Sequence, residues 1–282
     1  LGSVDFTTRR VAEIATVASE ALPADVLRGK QLFYNSADVR MSAQGYLSCA
    51  SCHFDGAEDG RVWDFGNLGE GLRNTISLLG RRGMGHGGLN WSGSSSELQD
   101  IDDNIRDLFG GTGFLTQPQR AALGEAEKDE KAGLSVELDA LAAYVTSLSA
   151  HRPSPFRNPD GSLTADGVAG RASFRRLGCD FCHSGRDATD SATSRLHDVG
   201  TLSAESGQGS FEALLGLDTP TLNGVWETPP YLHDGAATTL RDVLTTRNAD
   251  GLHGYVSALS EPELGQLISY VQQLDGSLAA ED

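Results

Sequence analysis

The chain has 282 residues, of which 39% are hydrophobic, which is enough for a globular protein of two domains of roughly 100–150 residues each. It contains no apolar run of the roughly 18 residues that a membrane span needs, so no span is predicted. The formal net charge of −17 argues against binding to nucleic acid or to an anionic membrane, since both require clustered Lys and Arg. An acidic surface favours a basic partner or simply keeps the protein soluble.

The first residues, 1–5, lack the basic and apolar segments of a signal peptide. We therefore expect the chain to begin either at a processed mature end or at the start of a domain that belongs to a longer protein.

The first element in chain order is a predicted helix that carries Gly29 and Phe33. A glycine at this position lets a second helix approach closely, and the ring four residues later is expected to pack toward a cofactor. The same spacing returns at Gly170 and Phe174. The repeat indicates a duplicated unit.

Each of these helices is followed by a Cys-x-x-Cys-His group, at residues 49–53 and 179–183. Two cysteines at this spacing can form thioether bonds to one edge of a haem, and the next histidine then lies under the iron. A zinc site would place its two cysteine pairs about 15–20 residues apart, and a thiol redox motif does not need the histidine. The predicted attachment residues are Cys49, Cys52, Cys179 and Cys182, with His53 and His183 as proximal iron ligands.

Helices with one apolar face are predicted for residues 137–148 and 263–274, each ending one half of the chain. Ser135 and Ser260 are the expected N-caps, and Glu263 stands at the capping-box position. Residues 151–161 contain three prolines and are predicted to form a linker. The predicted fold is all-α, with two tandem cytochrome c-like haem domains (1–152 and 153–282), long loops and little strand.

With these motifs in place, the chain resembles the bacterial di-haem cytochrome c peroxidase and MauG superfamily from about residue 23 to residue 274. It is similar in particular to the branch that is joined to β-propeller repeats. The resemblance is carried by residues 73–75, 90–93, 196–201, 219–222 and 228–235. It implies a calcium ion held by the Asn74 side chain and by the Thr228 and Pro230 carbonyls, and it implies that Trp91 is an electron bridge between the haems. Haem attachment of this type occurs outside the cytoplasm, so a periplasmic or extracellular protein is expected.

The sixth ligand of the second haem is left open by the sequence. The family usually supplies a methionine, but no methionine follows Met84 in this chain. His253 is the first choice because it lies in the loop before the last helix; His233 and an open site are the alternatives. His233 would otherwise form a hydrogen bond in a turn, and His197 would pack beside a haem propionate. His151, in the linker, is expected to be exposed.

For the first haem, His86 is the preferred sixth ligand, because the glycines around it allow the backbone to approach the porphyrin. Met84 is the alternative, and an unligated iron with His86 on the surface stays open. The peroxidases of this superfamily also place a glutamate after the tryptophan as an acid–base catalyst. Residues 107–117 contain no glutamate. Asp107 and Gln117 are the nearest replacements.

The expected function is therefore electron transfer by a c-type cytochrome with two covalently attached haem c groups, exchanging electrons with a partner protein or a fused domain. The alternative is a cytochrome c peroxidase or a MauG-type oxidase that uses hydrogen peroxide at the first haem. A haem-based sensor is a third option.

Overall fold

Two long helices pack against each other in each half of the chain. In the first half, α1 (Ala24–Tyr34) packs against α5 (Val136–Ser147). In the second half, α6 (Ala165–Arg176) packs against α8 (Glu261–Gln272). The computed structural model describes residues 18–66, 69–123, 129–208 and 213–277, together with the backbone of residues 2–5 and 10–13.

A glycine makes the first helix contact possible. A Cβ atom added to Gly29 would lie 1.8 Å from the carbonyl oxygen of Ala140. One turn later, the Phe33 ring meets Tyr144 edge-on, with centroids 5.0 Å apart.

The second helix pair repeats this contact. A Cβ atom on Gly170 would lie 1.9 Å from the carbonyl oxygen of Gln266. Phe174 meets Tyr270 edge-on, with centroids 5.2 Å apart. The duplicated Gly and Phe spacing therefore produces a duplicated packing geometry.

Side-chain caps fix where three of these helices begin. The hydroxyl of Ser135 accepts a hydrogen bond from the backbone N–H of Leu138, and Ser260 and Glu263 form a capping box. Thr164 caps α6 in the same way. Both predicted C-terminal helices are present, although α8 begins two residues before the predicted start.

The remaining elements are short. The other helices are α2 (Cys49–Cys52), α3 (Ile101–Asp107), α4 (Gln117–Ala122) and α7 (Leu240–Leu244). Within the described residues, three two-stranded antiparallel sheets pair β1 (Gly2–Asp5) with β2 (Arg10–Glu13), β3 (Val62–Phe65) with β4 (Gly71–Asn74), and β5 (Leu196–His197) with β6 (Leu217–Asp218). The all-α prediction is confirmed, with little strand.

Two apolar clusters form, one beside each cysteine motif. Cys49 packs against the first cluster, which contains Phe33, Met41 and Tyr144. Cys179 packs against the second, which contains Phe174 and Leu267. In the part of the chain that the structure describes, no helix is long and apolar enough to cross a membrane.

Candidate haem sites

Each cysteine motif forms a single tight turn. The backbone N–H of His53 donates to the carbonyl of Cys49 at 2.8 Å, and the backbone N–H of His183 donates to the carbonyl of Cys179 at 2.9 Å. Gly178, with φ +74°, begins the second turn in the left-handed region that glycine favours. Both histidines therefore follow the first cysteine of their motif by one helical turn, the local geometry that haem attachment requires.

A cavity of about 440 Å³ lies in the second half and is lined by Cys179, Cys182, His183 and His253. The ring centroids of His183 and His253 are 6.3 Å apart. Two metal–imidazole bonds of about 2 Å each place the ring centroids about 6 Å apart. The cavity and the spacing of the two rings therefore fit a haem held between these histidines.

The ring nitrogens of the two histidines suit this role. His183 Nδ1 donates to the carbonyl of Ala188 at 3.3 Å, which leaves Nε2 for a metal. Burial, with a smaller contribution from the charge of His253, lowers the pKa of His183 to about 4. Burial also lowers the pKa of His253. Both rings are therefore neutral at pH 7, the form that binds metals.

Asn248 holds the loop that carries His253, and the sequence alone did not single it out. Its side-chain oxygen accepts from the backbone N–H of His253 at 2.9 Å, and its Nδ2 donates to the carbonyl of Gly254 at 2.8 Å. The amide is buried. The only sequence signal was an Asn five residues before the histidine.

In the first half, His86 is buried, with 2% of its surface exposed, and neither ring nitrogen has a hydrogen-bond partner. Burial and the nearby Arg81 lower the pKa of His86 to about 4. His53 Nδ1 likewise has no partner, and burial lowers the pKa of that ring. The alternative of a surface His86 is wrong. Met84, in the same loop, is half-buried.

His151 is not exposed, in contrast to the expectation from its place in the linker. Its ring stacks on His86, with centroids 6.4 Å apart, and its Nε2 is buried. It fills the space left by Gly80, where a Cβ atom would lie 1.9 Å from Nε2. The linker is thus anchored at its first residue.

His233 and His197 both have polar partners. His233 is fully buried, and its Nε2 lies 2.8 Å from the hydroxyl of Ser206. His197 Nε2 lies 2.9 Å from Asp190 Oδ2, and its Nδ1 is 4.0 Å from the sulfur of Cys182. The atoms of Cys182, Asp190 and His197 lie close enough to hold a metal ion, but thioether attachment would use the sulfur.

Two loops of the same shape cross between the halves and carry Trp91 and His233. Asn90 and Leu232, the residues just before these rings, both have a positive φ, of 66° and 72°. The rings meet edge-on, with centroids 6.4 Å apart.

Hydrogen bonds across these loops are reciprocal. The backbone N–H of Asn74 donates to the carbonyl of His233 at 2.6 Å, and the backbone N–H of Asp218 donates to the carbonyl of Trp91 at 2.8 Å. Trp91 and His233 therefore occupy equivalent positions at a pseudo-symmetric contact.

The three residues that the resemblance implies for calcium lie together. Thr228, Pro230 and Asn74 all line the same cavity. Asn74 Nδ2 donates to the carbonyl of Pro230, while its buried Oδ1 has no partner. An unpartnered amide oxygen beside a backbone carbonyl is an oxygen donor set of the kind that Ca²⁺ prefers.

The two replacements for a catalytic acid lie on the surface. Asp107 ends α3 and Gln117 begins α4, and both are exposed. Three acids just before this segment are buried, Asp100, Asp102 and Asp103. Asp102 accepts from the backbone N–H groups of Phe114 and Leu115 and from Arg106. Its contacts are those of a residue that holds a loop.

Comparisons with known proteins agree with this fold and with these motifs. The family model described as RoxA-like, cytochrome c-like, matches residues 216–250. Hydrazine synthase subunit gamma of Kuenenia stuttgartiensis is 30% identical over 292 residues, covering 89% of this chain and 78% of that protein. The cytochrome-c peroxidase IdrP2 of a Pseudomonas species is 27% identical, covering 92% of this chain and 84% of the relative.

Among solved structures, hydrazine synthase of Kuenenia stuttgartiensis superposes with a TM-score of 0.70 at 25% identity, covering 94% of this chain and 99% of that one. Methylamine utilisation proteins named MauG are further relatives. Fold and motifs thus define a c-type cytochrome with haem c cofactors. The chain belongs to the di-haem cytochrome c peroxidase and MauG superfamily of oxidoreductases.

Proposed function

We propose that the protein transfers electrons through two haem c groups, one attached at Cys49 and Cys52 and the other at Cys179 and Cys182. The observation that carries this proposal is the pair of imidazoles of His183 and His253, whose ring centroids are 6.3 Å apart and which both line the cavity in the second half. Haem iron with two strong axial ligands exchanges electrons without an open position for a substrate.

His183 is the proximal ligand of the second haem and His253 is the sixth ligand. The alternative sixth ligand, His233, forms a hydrogen bond with Ser206 and packs against Trp91. Imidazole in place of a methionine thioether lowers the potential, because a thioether favours ferrous iron.

For the first haem we propose His53 as the proximal ligand and His86 as the sixth ligand. Neither ring nitrogen of the buried His86 forms a hydrogen bond, although Nε2 lies 3.6 Å from Asp187 Oδ1, and a bond to the iron would offset the cost of this burial. Met84 remains the alternative, since it lies two residues away and is half-buried.

Trp91 is proposed as the bridge between the haems and Asn74, Thr228 and Pro230 as a calcium site. Trp91 lines the second cavity, and its Nε1 donates to the carbonyl of Asn74 at 2.8 Å. A calcium ion beside Asn74 would therefore also fix the orientation of the indole.

A peroxide-dependent activity at the first haem is the second candidate, favoured by relatives that are named peroxidases. The exposed positions of Asp107 and Gln117 argue against it, because an acid–base catalyst must reach the reacting oxygen atoms. Electron transfer is the better match to the site.

We also propose export from the cytoplasm, a basic redox partner or a fused domain, and a boundary between the two haem domains near residue 152. Ser154 and Arg157 support this boundary, because both bind the Asp275 carboxylate at the other end of the second half. A β-propeller joined to this chain stays a prediction.

Spectra of the oxidised protein test the ligation. We expect low-spin ferric signals from both haems by electron paramagnetic resonance. His253→Ala should convert one of them to a high-spin signal, while His233→Ala, the matched control, should not. A high-spin signal from the second haem of the unmodified protein would overturn its proposed ligation. Turnover of hydrogen peroxide with a reduced donor would favour the second candidate.

A further inference from the structure

Arg81 is a buried cation with few partners. Only 5% of its surface is exposed, and its Nη2 donates to the carbonyl of Gly88 at 3.0 Å. Among the described residues no carboxylate forms an ion pair with it. Its neighbour Arg82 is more exposed and pairs with Asp187 at 2.8 Å.

A second buried arginine, Arg73, has a set of hydrogen-bond acceptors for its guanidinium group. Arg73 donates to the carbonyls of Leu72, Ser206 and Gln208, at 2.7–2.8 Å. Arg81 is buried to a similar degree without this set of acceptors. A buried charge is costly unless it is paired and hydrogen-bonded. The charge of the buried Asp218 carboxylate acts on Arg81, but the two form no ion pair, so the guanidinium can still bind a further anion.

The surroundings of Arg81 identify where that anion lies. Arg81 lies in the same loop as His86 and Trp91, and its positive charge contributes to the lowered pKa values of both His53 and His86. The buried Asp218 is held in place by other partners: its backbone N–H donates to the Trp91 carbonyl, and its carboxylate accepts from the Ser191 hydroxyl at 2.7 Å. Arg81 therefore lies in the loop that carries the proposed sixth ligand of the first haem, five residues before His86.

We propose that Arg81 binds a propionate carboxylate of the first haem and so sets the potential of that haem. The inference rests on the proposed function, because it needs a haem at Cys49 and Cys52. A guanidinium and a carboxylate form strong charge-assisted hydrogen bonds, which strengthen further when water is excluded. A positive charge here favours the reduced haem over the oxidised haem.

The test compares Arg81→Met and Arg81→Lys with the unmodified holoprotein. Arg152→Met is the matched control, because the Arg152 side chain is 61% exposed and pairs with Glu227 on the surface. The potential of each haem is measured by spectroelectrochemical titration, and the propionate bending bands are measured by resonance Raman spectroscopy. Haem content and the low-spin spectra are recorded for every variant.

Arg81→Met should shift the potential of the first haem downward and displace its propionate band, with the second haem unchanged. Arg81→Lys should shift the potential less, because the charge stays while the planar fork is lost. Arg152→Met should change neither reading.

The inference is wrong if Arg81→Met and Arg81→Lys both fold with full haem content and leave the first potential and the propionate band as in the unmodified protein. If Arg81→Met does not fold, an unchanged propionate band and potential in Arg81→Lys overturn the inference on their own. An unmodified protein that lacks a haem at the first motif would instead overturn the proposed function. The two failures are thus distinguishable.

Discussion

Gly29→Ala tests whether the close helix contact in the first half governs stability. The added Cβ atom would lie 1.8 Å from the carbonyl oxygen of Ala140 and 2.8 Å from Cβ of Tyr144. Because the nearest atom belongs to the backbone, no side-chain rotation relieves the clash, and α1 and α5 must move apart.

Two effects of opposite sign set the magnitude. Overpacking costs up to about 3 kcal/mol, while alanine is better than glycine inside a helix by about 1 kcal/mol. The net loss is then about 2 kcal/mol, which lowers Tm by about 4–8 °C for a chain of this size. Gly265→Ala in α8 is the matched control, because no atom lies within 4 Å of its added Cβ. That variant should gain about 1 kcal/mol from the same change in helix propensity.

Thermal unfolding of the holoprotein, followed by circular dichroism with haem content checked, measures both variants. Gly265→Ala should be the most stable of the three proteins and Gly29→Ala the least stable, with the unmodified protein between them. If Gly29→Ala were as stable as Gly265→Ala, the helices would not approach each other at this residue, and the role given to the repeated glycine would be wrong.

Three further predictions concern the bridge, the calcium site and acid stability. Trp91→Phe should slow electron transfer between the haems at least several-fold in flash-reduction kinetics, whereas Trp63→Phe should leave it unchanged; equal rates would remove the bridge role. Asn74→Ala should lose one bound calcium per chain in metal analysis, and an unchanged calcium content would refute the site. Hydrogen bonds from the backbone N–H and hydroxyl of Ser260 help to lower the pKa of Glu263 to about 2. Since this folded-state pKa is depressed, the ionised group stabilises the fold above about pH 4, and this is lost as the pH falls toward 2. In Glu263→Gln, the free energy of unfolding should change less with pH between about pH 4 and 2. The same pH dependence as in the unmodified protein would contradict the capping role.

Features encoded within a few residues could be predicted from the sequence. The turn of each Cys-x-x-Cys-His motif, the caps at Ser135 and Ser260, and the helix contacts at Gly29 and Gly170 all depend on residue type and short spacing. Helix ends were less accurate, because α8 begins with Glu261 and Pro262, before the apolar pattern starts.

Features that depend on contacts between distant residues could not be predicted. His151 was expected to be exposed because it lies in the proline-rich linker, yet a glycine in a loop 71 positions earlier, at residue 80, leaves space for its ring. The sequence also could not show that Arg81 forms no ion pair with the described residues, because this depends on where the acidic side chains around it lie in the folded chain. The hairpin of β3 and β4, which brings Asn74 to the cavity, has too weak an alternating pattern to be recognised.

The pseudo-symmetry of the two crossing loops supports our proposal that His233 does not bind the iron, although it lines the second haem cavity. Its equivalent in the first half is Trp91, which cannot bind iron, and both residues offer their carbonyls to the opposite half through the same hydrogen bond. This loop position therefore serves the contact between the halves. In the ligation that we propose, the iron atoms are bound by loops that differ between the halves, those of His86 and His253. Two copies of one cytochrome unit can thus share a common interface while each haem receives its own axial environment.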